Sequence, residues 1–168
     1  MSTQLTADDA KTSLNGHVFS KGEEICARFG PGLGWKELEI LLEDRTLVRY
    51  PVEVVFDASQ LNPGEFAHPV PKGDRPEDGF LMCVHPIYLT QLQRVPALVL
   101  YQLVAVNYGA FAASDDAETF GAAALGLSRD DYYAELCEMA DQLGVGDLNV
   151  APLGASSGGC GGGGCGCH

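Results

Sequence analysis

Three cysteines and a histidine stand within the last nine residues of the chain, spaced Cys160-x4-Cys165-x-Cys167-His168. Every residue from Gly158 to His168 is Gly, Cys or His. Thiolate sulfur and neutral imidazole are the donors that soft and borderline ions prefer, and four of them close a tetrahedral site. The chemistry expected of Cys160, Cys165, Cys167 and His168 is therefore capture of Ni(II), Zn(II) or Cu(I). Glycine puts no side chain in the way of convergence, but ordering it is entropically expensive. The stretch 158–168 is thus expected to be disordered until something outside it supplies the energy. A competing reading is a low-complexity tail whose thiols have no specific role. No organic cofactor is expected.

A second pair, Cys83 and His85, sits in Met82-Cys83-Val84-His85. On a strand, residues two apart project from one face, about 7 Å from each other. They are a candidate second metal site or a thiol–imidazole pair. The opposing reading is a packed cysteine followed by a histidine that enters a turn before Pro86. His68 lies in the preceding loop region and is a candidate to approach the pair. Cys26 and Cys137 read as packing residues. The acidic residues Asp130, Asp131, Glu135, Glu138 and Asp141 read as a solvated helix face. No catalytic constellation emerges, and Phe29-Gly-Pro-Gly-Leu-Gly34 lacks the Gly-Lys-Ser/Thr of a phosphate-binding loop.

The chain carries 23 acidic against 10 basic residues, a formal net charge of −13. This balance disfavours nucleic acid and anionic membrane as partners, both of which need a basic surface. The longest apolar run, Val95 to Val106, is too short to span a bilayer. Met1 to Asn15 is polar and has no apolar leader core. The expected location is the cytoplasm, where six cysteines read as free thiols, metal ligands or redox groups rather than as a disulfide framework.

The elements that must position these residues read as one α+β domain over 1–144, a linker over 145–157 and the tail over 158–168. Residues 1–15 read as a frayed start, and Glu23 to Phe29 as a short helix or strand. Leu38 to Leu42 and Leu47 to Phe56 read as a hairpin, the second run alternating with a period of two. Pro51 places that strand at an edge or a bulge. Ser59 to Gly79, rich in Pro and Gly, reads as a loop of about 20 residues. Gly79 to Ile87 reads as a third strand. Three helices follow: Val95–Phe111, apolar nearly all round, with Pro96 in its first turn; Asp115–Leu125, ended by Gly126; and a third begun by Ser128 as N-cap. Its stripe is Tyr132, Leu136, Met139 and Leu143. The expected architecture is a small, mostly antiparallel sheet covered by about three C-terminal helices.

The run Gly164-Cys165-Gly166-Cys167-His168 resembles the end of the Cys/His-rich tail of the SlyD family of nickel-binding prolyl isomerases. The resemblance covers these few residues. The family's long histidine tract is absent, and its isomerase domain is not recognisable in residues 1–157. It implies soft-metal handling, of nickel or zinc, and no isomerase activity. Gly158 to Gly162 also resembles the Gly-Gly-Cys-Gly-Gly end of SoxY sulfur carriers, which are exported and carry a single tail cysteine. The expected function is a metallochaperone or a metal storage or delivery factor with a client metalloprotein as partner. The alternatives are a thiol redox or sulfur-carrier protein, and an assembly factor that binds a partner through its body.

Overall fold

A computed structural model describes residues 6–144. The linker and the tail, with Cys160, Cys165, Cys167 and His168, lie outside the described residues. Among the described residues the fold is α+β, with five α-helices and a three-stranded sheet.

Helix α1 (Ala7–Phe29) opens on a reciprocal cap: the Thr6 hydroxyl accepts from the Asp9 amide at 3.1 Å, and the Asp9 carboxylate accepts from the Thr6 amide at 2.9 Å. The frayed start and short element expected here are one 23-residue helix. Its buried stripe is only Leu14, Val18, Gly22 and Ile25, too narrow to stand out as a helical pattern. Gly22 is not a breaker but a contact point. A Cβ there would stand 2.6 Å from Ala123 Cβ and 2.7 Å from the Phe120 carbonyl oxygen, so α1 lies backbone-close on a later helix.

The segment expected as the first hairpin strand is helix α2 (Trp35–Glu43). Leu38, Leu41 and Leu42 are buried and Ile40 is 56% exposed, a 3–4 spacing that is disguised where four of the five residues 38–42 are apolar. No hairpin forms. Asp44 ends α2 and pairs with Arg28 near the end of α1. Arg45 then donates to the carbonyls of Leu42, Val48 and Tyr50, bracing the turn.

Strand β1 (Val52–Phe56) begins just after Pro51, shorter than the expected run. Strand β2 (Ala67–Pro71) lies inside the stretch expected as loop. Its two prolines hid it, and the ladder explains how they are tolerated. The Phe66 carbonyl accepts from the His85 amide and the Lys72 amide donates to Gly79, so the even-numbered positions face the partner strand. Pro69 and Pro71 fall on the outward side of an edge strand, where no donor is needed. Strand β3 (Phe80–Val84) is central, parallel to β1 and antiparallel to β2.

Helix α3 (Val95–Tyr108) is buried on nearly every side. Helices α4 (Ser114–Leu125) and α5 (Arg129–Asp141) complete the three expected C-terminal helices. Gly126 closes α4 in the left-handed region at φ 69°, and the Ser128 hydroxyl caps α5 by accepting from the Asp131 amide. Buried residues from Leu14 to Ala140 form one core, which joins α3 to Met82, Val84 and Ala67 on one sheet face. Two tyrosine hydroxyls span it: Tyr88 donates to the Met139 carbonyl and Tyr132 to the Ala97 carbonyl, each at 2.6 Å. No helix among the described residues is long and apolar enough to cross a membrane.

Candidate functional site

Cys83 occupies the central strand. The register sets Val55 of β1 and His68 of β2 beside it. With the period of two, these three share the face opposite the α3-packed one. Cys83 is nevertheless only 1% exposed. Burial, and then the nearby Asp57 carboxylate, pushes its thiol above the ordinary range. Both effects disfavour the thiolate, which is the form that binds metal or attacks an electrophile.

The expected partner histidine is placed differently from a strand reading. β3 ends at Val84, and His85 caps the 3-10 turn Pro86–Thr90, where its Nδ1 accepts from the Ile87 amide at 3.2 Å. His85 has one ring nitrogen committed to the backbone and so serves chain direction. His68 does stand across the ladder from Cys83, but its Nδ1 lies 3.2 Å from Glu65 Oε1. Among the described residues no group of three or more His, Cys, Asp or Glu is gathered closely enough to hold a metal.

Cys26, Cys83 and Cys137 are free thiols. A Cβ on Gly126 would meet Cys26 Sγ at 3.2 Å, so that sulfur packs against the end of α4. Cys137 sits one turn after Tyr133 on α5, and burial raises its pKa. The sequence reading of Cys26 and Cys137 as packing residues agrees with these positions.

One feature escaped the sequence. Arg129 at the start of α5 pairs with Asp115 at 2.5 Å and Glu118 at 2.7 Å, both on α4. Glu118, Arg129, Asp130 and Tyr133 line a shallow open cleft there. The Tyr101 hydroxyl is buried without a partner among the described residues, and burial raises its pKa. The acidic residues of α5 read alone as a solvated face. Only the docking of α4 makes two of α4's carboxylates into a clamp on Arg129. A second feature is a spelling: Gly154-Ala155-Ser156-Ser157-Gly158 matches the Gly-x-Ser-x-Gly of a nucleophile elbow. That spelling has a role only between a strand and a helix, and these residues lie outside those described.

No protein-family model matches the chain, and comparison with curated proteins and with solved structures finds no match. The class of the molecule is therefore set by its fold, an α+β body, and by a cysteine-rich C-terminal stretch.

Proposed function

We propose that the protein captures a soft or borderline metal ion, Ni(II), Zn(II) or Cu(I), with Cys160, Cys165, Cys167 and His168, and passes it to a client protein. The observation that carries this reading is the donor spacing itself: three thiols and one imidazole in an otherwise all-glycine frame. Two features of the body support it. The net charge of −13 raises the local concentration of cations. The Cys83 thiol is buried and kept protonated, so it competes poorly for the ion. Transfer would proceed by stepwise ligand exchange, one thiolate at a time. The folded body would recognise the client. The reading places the protein in the cytoplasm, where thiols stay reduced, and gives it no nucleic-acid partner.

The test is titration of Ni(II), Zn(II) and Cu(I) into the reduced full chain against a competing chelator. The same titrations are run on Cys160→Ser, Cys165→Ser and Cys167→Ser. The expected result is submicromolar binding of at least one ion that needs two or more of these cysteines. Binding should release protons and weaken as pH falls, because protons compete for thiolate and imidazole. Affinity no better than that of a free thiol, for all three ions, removes the proposal. If a single tail cysteine instead holds persulfide or mixed disulfide and the others are replaceable, the protein is a sulfur carrier.

A further inference from the structure

The 3-10 turns Pro86–Thr90 and Leu92–Arg94 run along the C-terminal end of α5. Tyr88, Gln91 and Arg94, three residues apart, face the helix: Tyr88 bonds the Met139 carbonyl, Gln91 donates to Gln142 Oε1 at 3.0 Å, and Arg94 pairs with Glu138 at 3.2 Å. Gln91, at φ −132° and ψ 47°, separates the two turns. Leu89 of the first turn and Leu92 of the second are 55% and 36% exposed, and Ile87 of the first is 38% exposed. Three large aliphatic side chains within six residues thus face outward beside the last turn of α5.

This is also where the chain leaves the described fold. Leu143 is partly buried against the core, and Gly144 turns in the left-handed region at φ 73°. The next nine residues are Val145-Gly-Asp-Leu148-Asn-Val150-Ala-Pro-Leu153, with four large or branched aliphatics and one charge. Nine extended residues reach roughly 30 Å, and Leu89 and Leu92 are only three residues apart. The segment begins three residues after Gln142, which already touches Gln91.

We propose that residues 145–153 dock on the Ile87–Leu89–Leu92 surface as an apolar strap. Its aliphatic side chains cover the aliphatic patch that the body leaves open, and association is nearly free of the translational cost that an outside partner would bear, because the two are joined at Gly144. The strap would root the cysteine stretch 158–168 on one side of the body. It does not depend on whether that stretch binds metal.

The test uses the full chain. One variant carries Leu148→Asp, Val150→Asp and Leu153→Asp; another carries Leu89→Gln and Leu92→Gln. Amide exchange over residues 86–94 is expected to accelerate about tenfold or more in the first variant, in the range that separates local opening from protected structure. In the second, thermolysin, which cuts before aliphatic residues, is expected to cleave within 145–153 about fivefold faster than in the parent. Parent chain cut within 145–153 as fast as the second variant, together with unchanged exchange in the first, overturns the strap. So does a parent that native mass spectrometry finds dimeric and that the Leu89→Gln/Leu92→Gln variant turns monomeric at unchanged cleavage, since a second copy then covers the surface.

Discussion

The ring of Tyr132 lies directly on Gly121: a Cβ at that glycine would stand 2.2 Å from the tyrosine Cζ and from its hydroxyl oxygen. The hydroxyl is at the same time held by the Ala97 carbonyl. One glycine thus lets α4, α5 and α3 meet through a single aromatic side chain, which is fully buried and has no open space to retreat into. Gly121→Ala is expected to destabilise the fold by about 2–3 kcal/mol, roughly 5–10 °C in melting temperature for a domain of this size. Gly16 is the internal control. It is exposed in α1, and nothing lies within 4 Å of where its Cβ would be. Gly16→Ala is expected to stabilise by about 0.5–1 kcal/mol through helix propensity. Equal melting temperatures for the two variants would contradict the packing described.

Asn107 makes the same kind of bridge with polar atoms. Its side chain is buried on α3; it donates to the Leu47 carbonyl at 3.2 Å and accepts from the Arg49 amide at 2.8 Å. These bonds hold the segment between α2 and β1, which has no strand ladder of its own there. Asn107→Ala leaves the buried Leu47 carbonyl and the partly buried Arg49 amide unpaired, and a loss of about 2–3 kcal/mol is expected in a urea unfolding curve. Asn107→Asp keeps an acceptor for Arg49 but turns a charged oxygen toward the Leu47 carbonyl. It should be no more stable than the alanine variant. Full retention of stability in either variant would show that the bridge is dispensable.

Asp44 gives the fold an acid-sensitive contact. Its carboxylate accepts from the Thr46 hydroxyl at 2.6 Å and the Thr46 amide at 2.8 Å, and it pairs with Arg28. The Thr46 hydroxyl, then the Thr46 amide, then Arg28 hold its pKa down at about 2 against an ordinary 3.8. The folded-state value is the lower one, so the contribution is fully present above the ordinary value and is lost as pH falls toward about 2. The melting temperature of Asp44→Ala should lie below that of the parent at neutral pH, and the gap should close on acidification through this window. A gap that stays constant down to pH about 2 would assign the effect to something other than ionisation of this carboxylate.

The parts of this fold that were legible in the sequence are those fixed by local chemistry. The apolar run from Val95 marks α3 because a helix buried on all sides needs no periodicity to be read. Ser128 and the Tyr132–Leu136–Met139 stripe mark α5 because cap and stripe agree. The parts that were not legible depend on partners far along the chain. α1 buries one narrow row and uses Gly22 as a contact, so its pattern becomes meaningful only once α4 lies against it. α2 is a short apolar run whose 3–4 spacing shows only in which leucines end up inside. β2 contains two prolines, and only the pairing with β3 shows that both fall on the side that needs no donor. The candidate site divides in the same way. The donors proposed to capture metal, Cys160, Cys165, Cys167 and His168, are a reading of residue type and spacing alone. The burial of Cys83, the turn-capping role of His85 and the clamp of Asp115 and Glu118 on Arg129 come from tertiary placement.

Thiol reactivity separates the body's cysteines from those of the C-terminal stretch in one experiment. Cys83 lies inside the sheet layer, 1% exposed, and burial together with Asp57 keeps its thiol protonated. Alkylation requires both access and thiolate, so both factors slow it. In the reduced, folded full chain, iodoacetamide is expected to modify Cys83 at least about 100-fold more slowly than in urea, since attack must await an opening of the sheet. Cys160, Cys165 and Cys167 are expected to react at the rate of model thiols when no metal is present. Addition of Zn(II) or Ni(II) should slow those three together and leave Cys83 unchanged, because metal-bound thiolates lose nucleophilicity only where they are ligands. Peptide mass mapping of a time course, with and without the ion, reads all of these rates. Fast modification of Cys83 in the folded chain would refute its burial. Metal protection that appears at Cys83, or at none of Cys160, Cys165 and Cys167, would move the ion away from the C-terminal donors and end the metal-capture proposal.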